Sequence, residues 1–398
     1  MIRAAFPLIG RGAWTGGLVY LKNTLRVIRS RLSDKIEPLV FLSPAEQDKY
    51  GAELSPLVDG RLIADPAMAQ SGRGLSLAKA LATGQDADLS RLLKAARADV
   101  TFEVASFYGA HFDLPVIAWL PDFQHRLMPD MFGRANWWRR ELGFRAQIRY
   151  GRTLMVSSAT ARRDMERFYP TSQGRGHVVR FAIDLDIAKS MGRGPEMAAT
   201  YSLPKRFFFL PNQFWRHKNH SCIVAALALL KSQGMLGRVP PVILSGLNKD
   251  PRNPAHFGAL MQEARSAGVE GHFRFLGLIP YDHVLALAGA CDTLINPSHF
   301  EGWSTPIEEA KALGAPLLLS DIPIHREQAP HARFFDPGSP AAAAEAILAI
   351  AGCEPLPRAP VADLIGEQKR RIGEHAESLL GTVEAAANRP NQDRGAGK

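Results

Sequence analysis

Asn296-Pro-Ser-His-Phe-Glu-Gly-Trp-Ser-Thr-Pro-Ile-Glu-Glu-Ala-Lys-Ala-Leu-Gly314 holds a strand end, a glycine turn and a helix start in one short span, and the rest of the chain can be read outward from it. Thr305 is a good N-cap residue. Pro306 suits the first helical position, where its missing N–H would have no partner, and Glu308 stands at the spacing of a capping box. A helix start preceded by Gly302 and Ser304 offers unpaired backbone N–H groups and the positive end of a helix dipole, which suit a diphosphate. Glu301 on the turn and Glu309 in the helix lie eight positions apart. Two carboxylates beside a phosphate site would be repelled unless they serve hydroxyl groups, so both are read as hydroxyl acceptors. Taken without its surroundings, the same span also describes an ordinary capped strand-to-helix unit with solvated glutamates.

Short apolar runs alternate with segments of helical period along nearly the whole chain, the pattern of an α/β protein with parallel sheets. Strands are expected at 4–9, 38–42, 100–105, 115–120 and 153–157, with helices at 18–31, 75–82 and 89–98. The rhythm restarts with strands at 207–211, 241–245, 273–276, 293–296 and 316–320 and helices at 220–233, 256–267, 281–289 and 306–313. Two doubly wound, Rossmann-like halves follow, expected to face each other across a cleft, because open parallel sheets bind ligands beyond the carboxyl ends of their strands. The seam falls between Ile183 and Pro204, where glycine, proline and charge rise. The expected division is 1–185, 186–355, a terminal helix within 356–388 behind a proline-rich linker, and a disordered tail at 389–398.

A chain of 398 residues is too long for one ordinary core and comfortable for two domains. Its three cysteines, Cys222, Cys291 and Cys353, are far apart, which points away from a disulfide framework or zinc knuckle and toward a reducing, cytoplasmic setting. The first residues do not read as a signal peptide, and no apolar run is long enough to span a membrane. A net charge of +9 admits nucleic acid, an anionic membrane or a phosphorylated ligand. Neither an RNA-binding motif with interleaved aromatics nor zinc-finger spacing occurs, so no nucleic-acid partner is expected. Arg134 to Arg152 carries six arginines against the single acid Glu141, with Trp137 and Trp138 at its start. That composition suits the anionic inner face of a membrane, although a solvated helix with two core tryptophans has it too.

The span Glu301-Gly-Trp-Ser-Thr-Pro-Ile-Glu-Glu309 is similar to the E-x7-E signature of retaining family 4 glycosyltransferases with the GT-B fold, and Ala310 to Pro316 and Ser320 to Pro323 resemble its continuation. In that family the first glutamate contacts the donor sugar and the second the ribose, which the resemblance implies for Glu301 and Glu309. Gly302, Ser304 and Thr305 then fall beside the donor phosphates. Leu210-Pro-Asn-Gln-Phe-Trp-Arg-His-Lys-Asn219 resembles the loop whose Arg and Lys clamp the donor diphosphate. Lys218 matches the lysine. Gln213 occupies the arginine position, and Arg216 is the alternative source of charge. Phe275 to Pro280 resembles the base-binding segment, with Ile279 as the residue whose main chain meets the base. Gly246 ends a strand and is read either as a residue near the phosphates or as a plain strand-to-helix turn. The second domain is thus expected to bind the donor and the first the acceptor.

Ala118 to Asp130 resembles the Pro-Asp-Phe-Gln-His loop of bacterial enzymes that build surface polysaccharides, where Asp122 or His125 would order the acceptor. Pro121 stands where many relatives place a histidine. The glycine loop Gly10 to Gly17 departs from dinucleotide spacing, and the resemblance makes Gly16 and Gly17 candidates for close approach to donor phosphate or acceptor. The implied activity is transfer of a hexose, mannose-like or rhamnose-like, from a nucleoside diphosphate sugar to a saccharide or lipid-linked saccharide in polysaccharide or lipopolysaccharide assembly. No cofactor and no metal are expected, since no Asp-x-Asp motif occurs. The alternatives are a GT-B nucleotide-sugar hydrolase or epimerase and a non-catalytic sugar-nucleotide-binding scaffold.

Overall fold

The computed structural model describes residues 1–8, 15–69, 80–104, 106–250 and 252–389. In the first half seven parallel strands form one sheet: β1 (Ile2–Pro7), β2 (Ile36–Leu42), β3 (Leu62–Ala64), β4 (Val100–Val104), β5 (Val116–Leu120), β6 (Thr153–Val156) and β7 (Gly176–Val178), in the order β3-β2-β1-β4-β5-β6-β7. The second half forms a six-stranded parallel sheet of β8 (Phe208–Leu210), β9 (Val242–Leu244), β10 (Phe273–Phe275), β11 (Thr293–Asn296), β12 (Leu317–Ser320) and β13 (Arg333–Phe335), in the order β10-β9-β8-β11-β12-β13. Both sheets are doubly wound. The strand order reverses between β1 and β4 in the first and between β8 and β11 in the second, and a crevice for ligand opens at such a switch point.

Sheets of this kind are covered on both faces, so their strands read as continuous apolar runs. The run Phe207-Phe208-Phe209-Leu210 shows why. Side chains alternate across a strand. Phe208 and Leu210 enter a core with the helices His220–Ser232 and Pro340–Ala351, while Phe207 and Phe209 enter another with the helices Tyr281–Ala290 and Thr305–Ala312. The first sheet is built likewise, with Leu39, Phe41 and Val116 against the helix Ala87–Ala95, and Ala118, Leu120, Leu154 and Val156 against the helices Arg134–Arg149 and Ala159–Phe168. Burying one such side chain contributes roughly 1.5–3 kcal/mol, which is why these runs specify the sheets.

The strands missing from the sequence reading are β3, β7 and β13. All are three-residue strands at a sheet edge, only one of their nine residues is buried, and their apolar runs are no longer than the three residues Leu62 to Ala64. The helix expected at 75–82 lies mostly outside the described residues, as do residues 9–14 of the glycine loop. Gly16 and Gly17 fall in the first turn of the helix Thr15–Arg31.

The chain divides into two compact units, Met1–Asp184 with Arg370–Lys398, and Leu185–Lys369. This corrects the expected partition at its C-terminal end. The helix Val361–Ala387 is not a separate segment: its first turns belong to the second unit, where Leu364 packs near Gly314, and from Arg370 it belongs to the first. His375, whose Nδ1 accepts a hydrogen bond from the Ala182 amide at 3.2 Å, ties that later part to the first sheet's unit. Of the expected tail, Arg389 is described and donates to the Gly151 carbonyl.

Candidate functional site

Asn212, just past β8, and Asn296, the last residue of β11, stand side by side at the reversal of the second sheet. Asn212 Nδ2 donates to Asn296 Oδ1 at 3.2 Å. Asn296 Nδ2 in turn donates to Ser304 Oγ at 3.0 Å and to Glu301 Oε1 at 3.3 Å. The Ser298 hydroxyl lies 2.7 Å from Glu301 Oε1 and 2.6 Å from Asn296 Oδ1, and its one proton serves either acceptor. Lys218 Nζ donates to the same Glu301 oxygen at 2.7 Å. Burial would raise the Glu301 carboxyl, but the Lys218 ammonium first, then His325 and His217, hold it down to about 2.

The loop bearing Lys218 is fastened to the loop bearing Glu301 by two further bonds. The His299 amide donates to the His217 carbonyl at 2.8 Å, and Asn219 Nδ2 donates to the Pro297 carbonyl at 3.0 Å. Asn219 takes a left-handed conformation (φ 55°), which Asn tolerates better than most residues, and so ends the turn Arg216–Lys218 and starts the helix His220–Ser232. The same amide reaches the Pro337 carbonyl at 3.0 Å. Lys218 is therefore positioned by backbone pinned on both sides.

The helix Thr305–Ala312 begins one residue earlier than the sequence implies, and this corrects the capping assignment. Ser304 is its N-cap, Thr305 and Pro306 are its first two residues, and no side chain caps it from within. The cap comes from Gln328, whose Oε1 accepts from the Ser304 amide at 3.1 Å and whose Nε2 donates to the Ser304 carbonyl at 2.7 Å. Glu308 is drawn away from a capping box by Gln328 Nε2 at 3.0 Å and Lys311 Nζ at 2.7 Å. A complete box does form at Ser43 and Glu46, at the start of the helix Pro44–Leu54. The Ser304 amide is satisfied by Gln328, Pro306 has no N–H and the Glu308 amide donates to the Ser304 carbonyl at 3.2 Å, so the helix start leaves the Thr305 and Ile307 amides for an anion.

Glu309, inside this helix, is buried, and burial pushes its carboxyl up to about 7 against a hydrogen bond from Tyr281. Tyr281 opens the helix that follows Ile279, so the expected base segment and the second glutamate are neighbours. Ile279 itself packs on the core of this unit. Gly246 brings the loop after β9 against the loop after β8: with φ 144°, a Cβ there would meet the Asn212 carbonyl oxygen at 2.4 Å. Its amide donates to the Gly277 carbonyl at 2.9 Å. Gln213 lies in the loop beside Asn212, Arg216 is exposed, and Gly302 is partly exposed in the turn before the helix. Among the described residues, His217 Nδ1, Trp303 Nε1 and His325 Nε2 are buried without hydrogen-bond partners, a concentration of unsatisfied polar atoms typical of a ligand site.

In the first unit Asp122 and His125 occupy different settings. Asp122, just past β5, accepts from the Gln124 amide at 2.9 Å and from Arg140 at 2.6 Å, and its carboxylate is partly exposed. His125 is fully buried among Phe132, Trp137 and Phe144, with Nε2 3.2 Å from Glu141 Oε2 and 3.3 Å from the Tyr169 hydroxyl. Burial, then Arg140, lowers it to about 4, so the ring is neutral near pH 7. Glu141, held at about 2 against burial by Tyr169, Arg145 and Arg126, is the acceptor that fixes the ring.

Asn212, Asn219, Asn296, Ser298, His325 and Gln328 were not found by reading the sequence. The Pro-Asn pairs Pro211-Asn212 and Asn296-Pro297, each at the end of an apolar run, were the available signal.

Residues 200–364 match the family model of glycosyl transferases group 1. Over 53 residues the chain is 38% identical to the O-antigen chain mannosyltransferase B of Escherichia coli, a stretch that takes in 13% of this chain and 14% of that relative. Among solved structures, a glycosyltransferase of Rickettsia africae superposes with a TM-score of 0.68 at 12% identity, covering 98% of this chain and 99% of that one. HepE of Anabaena, solved with UDP and glucose, gives 0.63 at 15% identity over 97% and 95%. WaaG, a glycosyltransferase involved in lipopolysaccharide biosynthesis, gives 0.62 at 15% identity over 97% and 99%. The fold is GT-B, two Rossmann-like parallel-sheet units. The Lys218–Glu301 site lies within the residues 200–364 that match the glycosyl transferases group 1 model.

Proposed function

We propose that this protein is a retaining, family 4 glycosyltransferase that moves a hexose from a nucleoside diphosphate sugar to an acceptor hydroxyl in the assembly of a surface polysaccharide or lipopolysaccharide. The observation that carries the reading is the largely buried Lys218–Glu301 pair at the switch point of the second sheet, within the residues that match the group 1 model and beside the start of the helix Thr305–Ala312. The donor diphosphate draws the Lys218 ammonium and the first amides of that helix, with Arg216 or Gln213 on its outer side. Glu301, already ionised, then accepts from the donor sugar hydroxyls, and Glu309 from the ribose. Gly246 and the Ile279 main chain border the nucleotide.

As the bond from C1 to the diphosphate breaks, positive charge grows on the sugar and negative charge on the leaving phosphate. Lys218 and the helix amides stabilise the second, a kind of contribution worth roughly 3–4 kcal/mol per preorganised donor in other enzymes. The acceptor oxygen bonds to C1 from the same face, and its proton passes to the leaving phosphate oxygen, so no protein nucleophile and no metal takes part. Asp122 orders the acceptor hydroxyl. His125 holds the Asp122 loop from beneath. The named mannosyltransferase and the lipopolysaccharide enzyme among the similar proteins support a mannose-like or rhamnose-like donor and a saccharide or lipid-linked acceptor. A cytoplasmic protein resting peripherally on the inner face of the membrane fits such an acceptor. No helix of the described residues is long and apolar enough to cross a membrane.

A thermal-shift screen of UDP-, GDP- and dTDP-sugars tests the donor, because a ligand that prefers the folded state raises its stability. One nucleotide sugar should raise the melting temperature, and NMR of its product should show the donor's anomeric configuration. An inverted product would refute retention. Free monosaccharide or epimerised donor, formed without acceptor, would replace transfer by hydrolysis or epimerisation.

A further inference from the structure

The helix Arg134–Arg149 carries apolar residues on both of its sides. Glu141, Phe144, Gln147 and Ile148 are buried, while Trp138 and Leu142 are 53% and 59% exposed. Residues spaced three and four apart share a helix face, and Arg134, Trp138, Leu142, Arg145 and Arg149 follow that spacing, all of them exposed. Two large apolar side chains thus sit at the middle of an exposed stripe with arginines at both ends, and Arg139 flanks it. The helix's single acid pairs with Arg145 and leaves Arg134 and Arg149, at the two ends of the stripe, unopposed by it. Glu141 is buried beneath, where Arg126, Arg145 and Tyr169 bond its carboxylate. Asp130, four positions upstream, is the nearest exposed acid in sequence.

We propose that the stripe Arg134–Trp138–Leu142–Arg145–Arg149 docks on an anionic lipid surface. Trp138 and Leu142 enter the boundary between headgroups and acyl chains, where an indole is at home, and Arg134 and Arg149 pair with lipid phosphates while Arg145 stays on Glu141. Charge complementarity selects this occupant: an apolar patch framed by cations attracts a negatively charged, deformable surface and repels a second copy of itself. Glycosyl transfer is not assumed by this inference. If the reading under Proposed function also holds, the stripe brings the enzyme to the surface where a lipid-linked acceptor resides.

The test is sedimentation of the full chain with phosphatidylcholine vesicles, with and without about a third phosphatidylglycerol, at low and high salt. Binding should require phosphatidylglycerol and fall with salt. Trp138→Ser with Leu142→Ser should weaken it at least about tenfold, and Arg134→Gln with Arg149→Gln roughly thirtyfold. These side chains are exposed, so melting temperature and nucleotide-sugar binding should stay as in the parent, which separates this test from that of donor chemistry. No vesicle binding, equal binding to neutral vesicles, or variants that bind like the parent would each overturn the proposal. So would variants that abolish self-association, or capture of an acidic protein, while leaving vesicle binding intact.

Discussion

Replacing Lys218 by Met keeps the hydrocarbon stem and removes the ammonium that stands 2.7 Å from Glu301 Oε1. The two side chains are 12% and 8% exposed, so water can do little to replace the lost partner. Lys218, as the largest of the opposing influences, together with His325 and His217 holds the Glu301 carboxyl at about 2 instead of 4.5 against its burial, a difference of 2.5 pH units of which Lys218 supplies the main part. At about 1.4 kcal/mol per unit this is roughly 3 kcal/mol of folding stability. An acid whose folded value is depressed contributes this in full above its unfolded value and loses it as the pH falls from about 4.5 toward 2. Lys218→Met should therefore be less stable by up to about 3 kcal/mol at pH ~7, in line with breaking one side of a buried pair, and the gap should narrow below pH ~4.5. Urea unfolding of parent and variant at both pH values, followed by fluorescence and far-UV circular dichroism, measures it. A gap below about 1 kcal/mol near neutrality, or one that does not close in acid, would refute the electrostatic account of the site.

Glu309→Gln should behave in the opposite sense. The parent's carboxyl is raised to about 7, so its contribution is complete below pH ~4.5 and lost as the pH rises through ~7, and the variant should gain up to about 3 kcal/mol over the parent at pH ~8 but little at pH ~4. Unfolding curves across that range check the sign. Gly246→Ala would force a methyl within 2.4 Å of the Asn212 carbonyl oxygen in a backbone conformation that alanine avoids, and should cost about 2 kcal/mol or more together with nucleotide-sugar binding. A melting temperature equal to the parent's would show that the two loops are not held together there. Gln328→Leu removes the external cap of Ser304 and a partner of Glu308, and should lower stability by about 1–3 kcal/mol as read by urea unfolding. An unchanged midpoint would mean that water or Glu308 caps the helix instead.

The α/β class and the central strands were legible because doubly buried strands must be apolar along their length, as Phe207 to Leu210 are. The edge strands β3, β7 and β13 were not, because a half-exposed strand of three residues needs no such run. Within the site, Glu301 and Glu309 stood out by their spacing at a helix start, and Lys218 by the resemblance of its loop to that of a known family. What positions them did not: Gln328 caps a helix from 24 residues away, and Asn212 and Asn296 meet across 84. Such contacts depend on which strands become neighbours at the switch point, which no local pattern encodes. Thr305 and Glu308 show the converse, a sound local capping pattern displaced when Gln328 and Lys311 compete for its groups. His125 could not be told from Asp122 in the sequence, since a loop histidine looks the same whether it faces solvent or, as here, packs beneath the loop on Glu141 and Tyr169.

The central claim is that Glu301 and Lys218 form the donor site of a sugar-transferring enzyme. Release of nucleoside diphosphate from the nucleotide sugar found by the binding screen, with an acceptor-containing saccharide or membrane extract, tests it when parent and Glu301→Ala are compared at equal folded concentration. The account predicts acceptor-dependent release by the parent and a rate at least about a hundredfold lower in the variant. Transfer that survives in Glu301→Ala would contradict it.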